Sequence, residues 1–312
     1  MAQITAQLVK ELRERTQAGM SDCKNALVEA EGDMDKAVEI ILKKGLAKTA
    51  KRAGAVATEG DIRTWISPDA KYGVMIEVNI QTDFAARNDK FAAFVDAVLE
   101  VAKNAKDGDD LTAAKYPGSD KTVAQVRDEL IATIGEKIDA RRFARVNLGS
   151  GAGAVHAYRH MNGKIGVLLE ASAETPEVAK HEAFLKFIDD TAMQAAAMSP
   201  LYLDRTQVPE ADLAKQREIY AAQLKEDPKP KPEAAWPKII EGKVNKWYSE
   251  ICLVDQDSVQ ESQKTVEMRR AEASKAAGGN IKLVRFVRYE RGEGLAKKVD
   301  DFAAEAQKMA GG

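Results

Sequence analysis

Apolar positions recur along this chain with two different periods, and the changes of period divide it. Residues 1–45 have helical spacing. Leu8 and Leu12 follow it after Thr5, and the pattern ends near Gly19. Ser21 is placed to cap a second helix that carries Cys23, Ala26, Leu27 and Ala30 and stops at Gly32. Asp33 is placed to cap a third, with Ala37, Val38, Ile41 and Leu42 on one face and Gly45 just past its end. The expectation is a three-helix unit, marginal on its own and of a size that commonly serves for docking. A basic linker follows, Lys43 to Gly54, including Lys48, Lys51 and Arg52. No aromatic residue interleaves its charges, so a solvated hinge is favoured over an RNA-binding arm.

From residue 55 the pattern turns to mixed strand and helix, and it repeats. A shift of 93 positions lays 60–96 on 153–189 without a gap. Gly60 falls on Gly153, Lys71 on Lys164 and Gly73 on Gly166. Val74-Met75-Ile76-Glu77 falls on Val167-Leu168-Leu169-Glu170, and Phe91 and Phe94 fall on Phe184 and Phe187. Each copy predicts a β-hairpin, turning near Pro68-Asp69-Ala70 or Met161-Asn162-Gly163, and then a helix over about 90–105 or 180–198. The fold class expected is α+β with duplicated core subdomains.

The second copy is interrupted. Residues 209–225 and 237–251 predict two helices around a Pro-rich break, Glu226 to Pro232, which suggests an antiparallel helical hairpin. Residues 254–263 read as polar and loose. A helix over 264–277 ends at Gly278-Gly279. The strand Ile281–Tyr289 alternates with period two and is expected to join the sheet of the second copy. A last amphipathic helix begins at Leu295. The division expected is 1–54, 55–147, 148–205 with strand 281–290, 206–260 for the hairpin insertion, and 261–312 for the C-terminal segment and helix module.

Within the first copy, Glu77 to Asn88 marks a strand-to-helix junction. Thr82 can cap the new helix, and Asp83 suits the positive end of its dipole. Phe84 is a large ring in the first turn, and core packing is its simplest explanation. The repeat weakens that explanation, because Asp83-Phe84 in the first copy stands where the second has Pro176-Glu177. A pair needed only by the fold should recur.

Composition narrows the function classes. The chain has 312 residues, 45% hydrophobic and 31% charged, with a net charge of −2. This excludes bulk electrostatic attraction to nucleic acid or an anionic membrane. No run of eighteen apolar residues and no signal-like N-terminus is present, so a cytoplasmic protein is expected. Cys23 and Cys252 lie far apart, without metal spacing, and read as free thiols. Gly149 to Gly153 lacks phosphate-loop spacing and precedes a strand. His156 and His160 stand in strand context, and His181 in a polar helix start. No nucleophile–base pair emerges, so a binding protein without cofactor is expected rather than an enzyme.

Three stretches carry a resemblance. They are Ile4 to Thr16 with Ala18-Gly-Met20 and Asp22-Cys-Lys24, the run Gln81-Thr-Asp-Phe84, and Arg285-Phe286 with Gly292-Glu-Gly294. Together they closely resemble bacterial translation elongation factor Ts, over nearly the full length. The resemblance implies a ubiquitin-associated-like N-terminal domain, paired α+β subdomains with antiparallel sheets, a projecting helical hairpin and a C-terminal module. It implies a guanine nucleotide exchange factor that forms a heterodimer with elongation factor Tu. Such a factor disturbs the Mg²⁺ and phosphate site of its partner and itself binds no nucleotide. Carried over, Thr82, Asp83, Phe84 and Ala85 form the working segment, and Leu12, Arg13 and Met20 the docking surface. The family often has Val where this chain has Ala85, and many relatives a second Met where it has Ser21. The alternative is an RNA-associated or scaffold translation protein using the N-terminal domain and linker.

Overall fold

The computed structural model describes residues 4–16, 18–52, 54–227 and 231–295. Its first three helices are α1 (Ala6–Thr16), α2 (Met20–Glu29) and α3 (Met34–Arg52), packed on one another. Their core is Val9, Leu12, Cys23, Ala26, Leu27, Ala37 and Ile41 with Ala18 and Ala30, the 3.6-residue pattern closed on itself. Thr5 Oγ accepts from Leu8 N–H, and Asp33 caps α3 by accepting from the amides of Asp35 and Lys36.

Two expectations fail here. Ser21 does not cap α2. The helix begins two residues earlier, with Gly19 as its cap and no side-chain bond. Nor does α3 stop at Gly45, but runs on to Arg52, taking most of the basic linker with it. One glycine costs a helix only about 1 kcal/mol relative to alanine, and the nine good or neutral formers around it outweigh that.

The first copy then runs β1 (Glu59–Ile66), β2 (Tyr72–Ile80), α4 (Asp83–Ala86), α5 (Asp89–Asn104), α6 (Val123–Ile134) and β3 (Ile138–Asn147). The second runs β4 (Gly153–His160), β5 (Ile165–Ala173), α7 (Pro176–Lys180), α8 (Glu182–Met198), α9 (Glu210–Lys225), α10 (Trp236–Ile251), α11 (Val266–Ala277) and β6 (Ile281–Glu290). Two three-stranded sheets result, ordered β1-β2-β3 and β4-β5-β6. The protein is α+β, and β6 does join the second sheet.

The repeat is longer than the sequence pattern suggested. α6 and β3 of the first copy answer to α11 and β6 of the second at an offset of 143 residues, the α9–α10 insertion having widened it from 93. Thr122 and Thr265 cap the paired helices, and Gly135 and Gly278 end them in the left-handed region. Gly60 and Gly153 are paired too, at φ +131° and +136°. A Cβ at either would stand 2.0 or 2.2 Å from a carbonyl oxygen of the next strand, so only glycine permits the approach.

Two compact units divide the chain. The first draws on the described residues of Met1–Arg63, Ile76–Phe143 and Glu290–Gly312, the second on Thr64–Met75 and Ala144–Tyr289. In the first, α3 lies against α6, and α5 buries Phe91, Phe94, Val95 and Val98. In the second, Phe184, Phe187 and Ile188 of α8 pack with Val167, Leu169 and Leu283 of the sheet.

Residues 254–263 prove better ordered than their polarity suggested. Gln256 is fully buried and accepts from Gln194 Nε2 at 3.1 Å, so these polar groups satisfy each other. The expected last helix falls, apart from Leu295, outside the described residues.

Candidate functional site

Strand β2 enters this region with a buried charge. Glu77 is fully buried and accepts from Arg142 Nε at 2.5 Å, Arg141 at 3.0 Å, Asn79 Nδ2 at 3.0 Å and the Gly292 amide at 2.8 Å. Burial pushes its carboxyl up. The Gly292 amide, Asn79 and the Arg142 guanidinium more than offset this and hold it below the ordinary range. Glu170 forms the matching bond to Arg285 at 2.7 Å in the second copy. This pair therefore belongs to the duplicated fold.

At the strand exit, Gln81 Oε1 accepts from the Lys137 amide at 2.8 Å. Thr82 follows in extended conformation and caps α4, its Oγ accepting from Ala85 N–H at 3.2 Å. Glu136, just beyond α6, binds the same threonine twice. One carboxylate oxygen accepts from Thr82 N–H at 2.9 Å and the other from its hydroxyl at 2.8 Å. Asp83 pairs with Arg87 at 3.1 Å across one helical turn.

Phe84 points outward. It is 80% exposed, the highest value among the large hydrophobic side chains of the described residues. Core packing is thereby excluded for it. The second copy shows what this position ordinarily carries, since its counterpart on α7 is Glu177, a charged residue facing solvent. The next residue, Val178, is buried, whereas Ala85 is only half-buried. An exposed phenyl ring on a one-turn helix contributes nothing to this fold and offers an apolar surface to something else.

The N-terminal residues separate. Arg13 is exposed on α1, and Met20, the first residue of α2, is 51% exposed. Leu12 is a correction. It is fully buried in the three-helix core, so it cannot meet a partner and serves instead to hold α1 in place.

The histidines have structural partners. His156 Nε2 lies 3.0 Å from Asp189, in the place where the first copy pairs Arg63 with Asp96. His160 Nδ1 meets the Tyr158 hydroxyl, and His181 caps α8 through Ala183 N–H, as Asn88 caps α5. Among the described residues no three His, Cys, Asp or Glu side chains are grouped to hold a metal ion. A cavity of about 510 Å³ in the first unit is walled by Val38, Ile41, Phe94 and Leu130 and edged by the Lys121–Glu129 pair.

The family model described as Elongation factor TS matches residues 81–293, more than half of the chain. Curated proteins named Elongation factor Ts match almost end to end. That of Clostridium perfringens is 44% identical over 310 residues, covering 99% of each chain. That of Symbiobacterium thermophilum is 43% identical over 311 residues, covering 100% of this chain and 99% of its own. A Nitratiruptor protein is 46% identical over 304 residues, covering 97% of each. The chain belongs to the elongation factor Ts family.

As a member of that family it is a translation elongation factor, and the family match begins at Gln81, the first residue of the Gln81-Thr-Asp-Phe84 run. No helix among the described residues is long and apolar enough to cross a membrane. Nothing in the local sequence around Glu136 marks it as part of the site. The signal that finds it is the second half of the repeat, where Glu136 falls on Gly279 at the offset of 143.

Proposed function

We propose that this protein is the guanine nucleotide exchange factor of elongation factor Tu, working in the cytoplasm and catalysing no bond change of its own. The observation that carries the reading is Phe84. It is an apolar ring presented to solvent on a capped, one-turn helix, where the sister copy carries a glutamate. On this reading Thr82, Asp83, Phe84 and Ala85 enter the G domain of the partner and disturb the elements that hold Mg²⁺ and the GDP phosphates. Arg13 and Met20 supply a separate docking surface.

The energetics are of the right size. Linkage is reciprocal, so whatever weakens GDP is weakened by GDP to the same degree. A hundredfold loss of GDP affinity needs about 2.7 kcal/mol of differential binding, at about 1.4 per decade. Burying one phenylalanine contributes about 1.5–3 kcal/mol. Asp83 adds a negative charge beside the ring. Affinity then comes mainly from other surfaces, and the ring acts on the difference between states.

The reading is tested by titrating elongation factor Tu of the same source, nucleotide-free and GDP-bound, with this protein. The expected result is tighter binding to the nucleotide-free form, with GDP dissociation from the complex accelerated. Equal affinity for both forms overturns exchange and leaves a scaffold.

A further inference from the structure

The two copies hold the exit of their second strand in the same way, except at one residue. In both, the turn leading from the last helix into the third strand donates a backbone amide to the strand exit. Lys137 N–H reaches Gln81 Oε1 at 2.8 Å, and Asn280 N–H reaches Glu174 Oε2 at 2.8 Å. These contacts occupy matching positions and belong to the fold. The first copy adds a side chain, the Glu136 carboxylate, which takes both the amide and the hydroxyl of Thr82. In the second copy the matching residue is Gly279. A Cβ there would stand 2.6 Å from Val178 Cγ2, and Thr175, which caps α7, meets the carboxylate of Glu177 on its own helix and none from that turn. The extra clamp thus occurs in the copy that presents Phe84.

We propose that Glu136 is a positioning residue for nucleotide exchange, fixing Thr82 and through it the one-turn helix that carries Phe84. The proposal rests on the exchange reading above and extends it to a residue that does not itself meet the partner. A single helical turn does not persist unaided, and a ring 80% exposed gets little help from packing. The Asp83–Arg87 pair is exposed and weak. Glu136 supplies what is missing. The Thr82 hydroxyl has one proton, and with that proton committed to Glu136 its lone pairs face Ala85 N–H, the bond that caps α4. The second carboxylate oxygen holds the Thr82 backbone at the same time. The segment is therefore ordered before docking, and its ordering does not subtract from the interaction that displaces the nucleotide.

The test measures release of fluorescent GDP from elongation factor Tu as a function of exchange-factor concentration. It compares wild type, Glu136→Ala, Glu136→Asp, Phe84→Ala and the Phe84→Ala, Glu136→Ala double variant. Glu136→Ala is expected to lower the maximal rate roughly three- to tenfold, the factor that ordering one side chain on docking would cost. The half-saturating concentration should change by less than about twofold, because docking surfaces are untouched. Glu136→Asp keeps both acceptor oxygens and should recover most of the rate, which also covers the case in which the alanine variant folds poorly. The double variant should be no slower than Phe84→Ala alone, since Glu136 acts through that ring. A general weakening of the fold would instead slow the Phe84→Ala background by the same factor again, and that result overturns the proposal. So does a wild-type rate for Glu136→Ala. If wild type accelerates release and Phe84→Ala is slow, either result leaves the exchange reading standing. If wild type itself does not accelerate release, that reading falls and the positioning role with it.

Discussion

Replacing Glu77 by Gln should destabilise the first unit by about 2–4 kcal/mol. Removing one partner of a buried ion pair costs about 3–5 kcal/mol, because the remaining charge is left without a counterpart. Glu77 is fully buried and serves two guanidiniums, an amide and the Asn79 side chain. The arginines keep 20% and 28% of their side-chain exposure, and Arg142 also reaches Glu293 at 3.3 Å. Water can therefore take up part of their charge, which lowers the figure. Glutamine preserves shape and one acceptor, so the change isolates the charge. Glu170→Gln is the internal control. It loses a bond to Arg285, whose side chain is 48% exposed, and should cost about 1 kcal/mol or less. Urea denaturation followed by far-UV circular dichroism reads the difference as a shift of midpoint with unchanged slope. The pH dependence has a definite sign. The folded-state pKa of Glu77 lies below its ordinary value. Its contribution is therefore complete above the unfolded value near about 4.3 and is lost as pH falls through the folded value. Wild type and Glu77→Gln should converge in acid. A variant within about 0.5 kcal/mol of wild type at neutral pH, or a gap that survives in acid, would refute the reasoning.

Further expectations concern the duplicated glycines and the thiols. Gly60→Ala and Gly153→Ala each place a methyl against a strand carbonyl at a positive φ, and each should cost more than about 2 kcal/mol. A denaturation midpoint unchanged by either would contradict the strand approach described. The Cys252 thiol is pushed up to about 11, by burial first and then by Asp255, and Cys23 is buried as well. Both should react with an aromatic disulfide reagent only as the protein unfolds, and rapid labelling of the native protein would contradict their burial.

Much of this architecture was legible because it rests on periodicity. The three helices, both hairpins, α5, α8 and strand β6 each declare a period of two or 3.6 over eight or more residues. α6 and β3 did not register. The α6 helix is a continuation of a copy whose first half had already closed its pattern, and β3 reads Ile-Asp-Ala-Arg-Arg-Phe-Ala-Arg-Val-Asn, four of its ten residues charged and one of them, Arg142, standing where alternation would place an apolar residue. Those charges have a use visible only in three dimensions, since Arg141 and Arg142 meet Glu77. Caps proved unequal as signals. Thr82 and Asp33 act as expected, while Ser21 lies inside its helix because the extended Gly19 already begins the turn. At the site, the repeat singled out Asp83-Phe84 by their absence from the second copy, but exposure is a property of the folded surface and needed coordinates. Leu12 shows the same limit from the other side. It lies within a recognisable motif, yet the helical stripe turns it inward. Glu136 lies 54 residues from Thr82, and no local pattern links them.

The central claim is that Phe84 is the element that displaces nucleotide, and release of fluorescent GDP from elongation factor Tu by wild type and by Phe84→Ala tests it most directly. Phe84 is 80% exposed, so its truncation should leave the denaturation midpoint unchanged. Most of the about 1.5–3 kcal/mol of a buried phenylalanine is available for docking. At about 1.4 kcal/mol per decade, accelerated release should fall roughly sevenfold to fiftyfold in the variant, with most docking affinity retained. Release by the variant at the wild-type rate would place the working element elsewhere on the molecule.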